Sequence, residues 1–117
     1  MAGDEAAESK EVALAFTKAL TARDYATAYA LTAMEYRGAT AMQAMQAAFE
    51  GVVPSDWGSV GPIEVVQTMQ DWPGRKTADI GWVYVSIGGD VYSEAVTIVV
   101  TREGGVARVR TAEFGRP

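Results

Sequence analysis

A helical half followed by a strand half predicts an α+β fold: three N-terminal helices packed on one curved, four-stranded antiparallel sheet. Three observations carry that expectation. Up to Phe49 the chain is rich in Ala, Met, Gln and Glu, with apolar residues at helical spacing. From Gly61 onward it is rich in Val, Ile and Thr and alternates with a period of two. Gly88-Gly89 and Gly104-Gly105 punctuate this second half where hairpins would turn. At 117 residues the chain reads as a single domain, 1–117, large enough to hold a core without staples.

Residues 1–8 carry acids and no base and are expected to be disordered. The first helix is predicted over residues 9–22, with Val12, Phe16 and Leu20 recurring every four residues as its buried stripe. Asp24 suits the N-cap of a second helix over 25–33, because its carboxylate can accept from the first free amides. Tyr25, Ala28, Tyr29 and Thr32 share a face of that helix. Gly38 breaks the chain, and Thr40 with Gln43 forms a capping-box pattern that opens a third helix, lined by Met42, Met45 and Phe49. Residues 53–62 form a turn-rich linker that carries Asp56 and Trp57. Strands are expected over 63–70, 77–87, 91–102 and 106–114, with Asp71-Trp72-Pro73-Gly74 joining the first pair.

Two-residue turns at both Gly-Gly steps sort the strands into two faces. One face carries Val83, Val85, Ile87, Tyr92, Val96, Ile98, Val100 and Val109, together with Asp79, Glu94, Thr111 and Glu113. It is the more aliphatic and is expected to meet the helices. The other carries Ile80, Trp82, Tyr84, Ser93, Thr97, Val99, Arg108, Arg110 and Phe114. A bulge would flip the last strand. Aromatic residues mixed with Arg are typical of interface cores, so Ile80, Trp82, Tyr84, Val99, Arg108, Arg110 and Phe114 are expected to form a sheet-to-sheet homodimer interface. A partly exposed aromatic ladder with no partner is the simpler alternative.

The acids on the aliphatic face pose a choice, since a buried unpaired carboxylate is costly. Asp79, Glu94 and Glu113 either sit at a wet rim or line a cavity with partners. In the second case they join Tyr29, Tyr36, Met45, Trp57 and Tyr92 as pocket-lining residues. Each has a structural alternative: tyrosines on an amphipathic helix are usually core, Met45 fills a core, and Trp57 can plug one.

Composition narrows the chemistry. With 10 basic and 15 acidic residues the net charge is −5, and no basic stripe suits a nucleic-acid backbone. The chain has no Cys and no His, which removes disulfides, thiolate chemistry, the usual general base and the usual zinc ligand. Neither Gly-Gly step precedes a helix, so neither has phosphate-binding form. No cofactor and no metal are expected. No apolar run approaches the roughly 20 residues of a membrane span. The N-terminus lacks the basic and apolar regions of an export signal. The chain therefore reads as cytoplasmic, with an exported domain whose leader has been removed as the alternative.

The run Phe16-Thr17-Lys18-Ala19-Leu20-Thr21-Ala22-Arg23-Asp24-Tyr25-Ala26-Thr27-Ala28-Tyr29-Ala30-Leu31 resembles the opening of NTF2-like domains. There, an aromatic in the first helix is followed by a turn with Asp-Tyr and an Ala-rich second helix. Helices followed by a bent antiparallel sheet are similar to the same cystatin-like cone. The resemblance implies a cavity between the third helix and the concave sheet, and frequent dimerisation through the sheet. It also implies a choice between isomerase-like, dehydratase-like, cyclase or hydrolase members and non-catalytic binding domains. The histidines of the dehydratase-like members are absent, and no catalytic residue carries over. The expected function is a non-catalytic domain that binds a small apolar ligand or a protein partner. The alternative is a carboxylate-dependent isomerase, cyclase or hydrolase acting on a hydrophobic small molecule in the cone.

Overall fold

The computed structural model describes residues 2–57, 60–89 and 93–115, without the side chains of 2–4 and 57. Four helices precede the sheet: α1 (Ala2–Thr21), α2 (Tyr25–Ala30), α3 (Met34–Ala39) and α4 (Met42–Val52). A short 3₁₀ turn, Ser55–Trp57, leads to β1 (Ile63–Met69), β2 (Asp79–Gly88), β3 (Ser93–Glu103) and β4 (Val106–Phe114). The strands pair antiparallel in the order β1-β2-β3-β4, so the fold is the α+β class expected.

Three helical details differ from the sequence pattern. The first helix runs from Ala2, through the segment expected to be disordered. It is held there because Arg102 of β3 donates to both oxygens of Glu8, at 2.7 and 3.0 Å, and Ser9 is buried against the sheet. Asp24 does cap α2, accepting from the Thr27 amide at 3.2 Å and the Thr27 hydroxyl at 2.7 Å. Beyond it, residues 34–39 form the additional helix α3, with Gly38 inside it. Thr40 ends α3 instead of opening the next helix, and α4 starts after Ala41 without a side-chain cap.

The side of the sheet under α1 and α4 is densely packed. Phe16 and Leu20 of α1, Met45 and Phe49 of α4, and Val83, Val85, Ile87, Val96, Ile98, Val100 and Val109 are all fully buried in one cluster. Each large side chain there contributes roughly 1.5–3 kcal/mol by leaving water. The Phe49 ring meets Tyr25 and Phe114 edge-on, at 6.5 and 6.0 Å between centroids.

Both hairpins explain which residues share a face. Gly104 and Gly105 have φ of 57° and 82°, the left-handed pair that a type I′ turn requires, and Glu103 faces Val106 directly. The β2–β3 hairpin is wider than a two-residue turn. Ile87 pairs with Glu94, where a two-residue turn would have given Asp90. That displacement is even, so every β2 and β3 side chain keeps its face.

Bulges then override the simple alternation. Val66 in β1, Ile80 in β2 and Arg110 in β4 are each an extra residue in the ladder. Across each bulge the alternation slips by one. The Ile80 bulge turns Ile80 into the core and takes Asp79 off the helix-covered side. The Arg110 bulge brings Ala112 and Phe114 under the helices and puts Thr111 and Glu113 on the open face, opposite Val99 and Thr97. Ile80 and Phe114 are therefore core residues, not interface residues. Asp79 and Glu113 do not share the helix-facing side.

The edge of β4 is partly covered. The Ala33 amide donates to the Val109 carbonyl at 2.7 Å and the Val109 amide to the Leu31 carbonyl at 2.8 Å, so residues 31–33 pair with the edge before α3 departs.

Candidate functional site

The open face of the sheet carries the site. Trp82 and Tyr84 of β2 stand on it half-buried, stacked at 6.3 Å with their ring planes 11° apart. Beside them β3 presents Thr97 and Val99, and β4 presents Thr111 and Glu113. The β1–β2 loop folds back over this surface. Trp72, Pro73 and Gly74 form one wall of a groove of about 200 Å³ whose floor is Trp82, Val99, Thr97 and Thr111, with Glu113 exposed at its rim.

An ion-pair network holds the loop in place. Asp79 at the start of β2 is 1% exposed. Arg110, turned by its bulge, donates from Nε to Asp79 Oδ1 at 2.7 Å and from Nη2 to Oδ2 at 2.6 Å. The Lys76 amide donates to Oδ2 at 2.8 Å, and Arg75 Nη2 donates to the Asp79 carbonyl at 2.8 Å. Burial alone would raise the Asp79 pKa. Arg110 and the Lys76 amide outweigh it and hold the carboxyl below its usual value. Arg110 Nη1 also reaches Glu35 of α3 at 3.3 Å, and Lys76 Nζ reaches the same carboxylate at 3.1 Å. One end of the sheet, the loop and α3 are thus tied together through two carboxylates.

A second groove, of about 210 Å³, lies between α3 and β4. Glu35, Tyr36, Thr40, Arg110, Thr111 and Ala112 line it, so it shares Arg110 and Thr111 with the first. Tyr36 is buried there, and burial, with Tyr29 alongside, pushes its pKa up to about 12.

Of the residues expected in a helix-side pocket, Tyr36 lines the groove between α3 and β4, and the other described ones do not join it there. Tyr29 donates its hydroxyl to the Thr40 carbonyl at 2.8 Å and ties α2 to the C-terminal end of α3. Met45 is buried core. Tyr92 and the side chain of Trp57 lie outside the described residues. The three acids diverge. Asp79 faces Thr101 at one end of β3 and Glu94 lies seven residues away along that strand, about 23 Å at ~3.3 Å per residue. Glu113, opposite Thr97, is four residues along β3 from Thr101, or about 13 Å. No two of them form an acid pair. Asp79 fits neither the wet-rim nor the cavity alternative, since it is a buried carboxylate with a guanidinium partner.

Of the residues expected at an interface, Trp82, Tyr84 and Val99 are on the open face. Arg110 is spent on Asp79. Arg108 donates to the Ala30 carbonyl at 2.6 Å and lies 3.8 Å from Glu103. Arg37 donates to the Tyr29 and Ala30 carbonyls as well, so two cations converge on the last carbonyls of the six-residue helix α2. The sequence reading missed Trp72. The signal was present: an indole in an Asp-Trp-Pro-Gly turn has no core position to fill, so it must cover something else.

Among the described residues, no helix is long and apolar enough to cross a membrane, and no group of three or more Asp or Glu side chains is placed to hold a metal ion. No family model, curated protein or solved structure matches the chain.

Proposed function

We propose that this chain is a non-catalytic binding domain, NTF2-like in plan, that holds a small apolar ligand or a side chain of a protein partner in the groove on the open sheet face. The observation that carries the reading is the pair of indoles, Trp72 from the loop and Trp82 from the sheet, walling one groove. Phe16, Leu20, Met45 and Phe49 fill the sheet side beneath α1 and α4, which supports a binding surface on the outside of the sheet. The salt bridge of Asp79 weighs against the carboxylate-driven enzyme, because a carboxyl held ionised by Arg110 is a poor proton donor and a weak base. The test is a titration of isotope-labelled protein with small neutral aromatic and aliphatic amides, followed by amide and indole chemical shifts. Saturable shifts confined to Trp72, Trp82, Val99 and Thr111 support the reading. Shifts spread over the surface, or none, overturn it.

A homodimer through the same face is a second reading, favoured by the half-buried Trp82–Tyr84 stack that no helix covers. Light scattering at high micromolar concentration tests it. A dimer that Trp82→Glu dissociates supports it, and a monomer overturns it. Both occupants need Trp82 and Val99, so addition of a saturating groove ligand dissociates such a dimer.

A further inference from the structure

Resting on the groove reading above, we infer that the groove's occupant is the side chain of an arginine presented by a basic segment of a partner protein. Size points to a side chain. At about 200 Å³ and open on one side, the groove is smaller than the roughly 300–1,000 Å³ pockets that enclose whole ligands.

Charge selects a cation. Arg110 lies in the groove wall, but Nε and Nη2 are engaged by Asp79 at 2.7 and 2.6 Å and Nη1 by Glu35 at 3.3 Å. Only 10% of its side chain is exposed, so an incoming anion finds its donors taken. Glu113 is the opposite case. It is exposed on the rim and has no hydrogen bond or ion pair among the described residues. The carboxylate left to answer a ligand's charge is therefore that of Glu113, on a chain of net charge −5.

Shape and surface select the guanidinium. An indole face attracts a cation within about 6 Å of its centre, and a planar guanidinium stacks there where an ammonium does not. The protein already makes this contact with itself, since the Arg75 guanidinium stands 5.8 Å over the Trp72 ring. Trp82, stacked on Tyr84, brings a second indole to the groove floor, with Thr97 and Thr111 also lining it.

The experiment titrates labelled protein with acetyl-Gly-Arg-Gly-amide and, separately, with the Lys, Leu and Glu versions of that peptide. The expected result is a saturable shift of the Trp72 and Trp82 indole signals by the Arg peptide. Binding should be at least severalfold tighter than for Lys and Leu, with no saturation by Glu. Glu113→Gln, at an exposed position where folding is not at risk, weakens Arg-peptide binding roughly two- to fivefold and leaves the Leu peptide unchanged. If Leu binds as well as Arg, or Glu113→Gln leaves the Arg peptide unaffected, the arginine assignment falls while the groove reading stands. If none of the four peptides, nor the neutral amides, saturates the groove signals, both fall.

Discussion

Arg110 reaches across β3 to hold both carboxylate oxygens of Asp79, and it can do so because it is the bulged residue of β4. The pair sits beneath the loop that walls the groove, so its integrity and that of the site are linked. Arg110→Met leaves a carboxylate that is 1% exposed without its cation. The expected loss of stability is about 3–5 kcal/mol. Adding Asp79→Asn to that variant recovers part of the loss. A urea-unfolding double-mutant cycle reads the coupling, and strict additivity would contradict the geometry.

Acid titration follows from the same pair. Asp79 is held below the unfolded carboxyl value of about 3.9, so its contribution is complete above that pH and is lost as pH falls through the lower native value. Glu8 and Glu35 are shifted the same way, Glu8 mainly by Arg102 and Glu35 mainly by Lys76. The gap in melting temperature between the wild type and Asp79→Asn should therefore be constant from about pH 5 to 8 and should close below about pH 4. A gap that persisted in acid strong enough to protonate Asp79 in the native state would show that the substitution acts for a reason other than charge.

Tyr36 gives the alkaline counterpart. Its hydroxyl is neutral when protonated and its native pKa, about 12, lies above the unfolded value of about 10. Stability tied to this group is intact below about pH 10 and is lost as pH rises toward 12. Absorbance at a tyrosinate wavelength should show a late step that Tyr36→Phe deletes.

Helix α1 and the sheet come into close approach at Gly81, where an added Cβ would overlap Ser9 Oγ and fall 2.6 Å from Ser9 Cβ. Gly81→Ala must push α1 off the sheet, at a cost of about 1–3 kcal/mol by overpacking. Ser9→Gly in the same chain should restore part of it, as thermal melts would report. Ser9 Oγ is buried without a hydrogen-bond partner among the described residues, so Ser9→Ala alone is expected to be neutral or stabilising.

Phe114 distinguishes the bulged register from plain alternation. Because its ring meets Phe49 at 6.0 Å, Phe49→Ala and Phe114→Ala should couple by about 0.5–1.5 kcal/mol in a double-mutant cycle. Additive losses would mean that Phe114 points away from the helices.

What could be read along the chain was what local chemistry decides. The α+β order, the strand segments, the Asp24 cap and the Gly104-Gly105 turn all follow from residues close to one another in sequence. The faces of β2 and β3 beyond Ile80 were also legible, because a hairpin misjudged by an even number of residues leaves alternation intact. Tertiary structure decided the bulges. An extra residue at Ile80 or Arg110 costs ladder bonds locally and is repaid only by distant groups: Gly81 closing on Ser9, Arg110 finding Asp79, Phe114 finding Phe49. Nothing within a few residues of either position encodes those partners. For the same reason Asp79 and Glu113 were placed together by pattern and apart by packing, and Trp72 meets Trp82 across one groove only through the tertiary course of the β1–β2 loop.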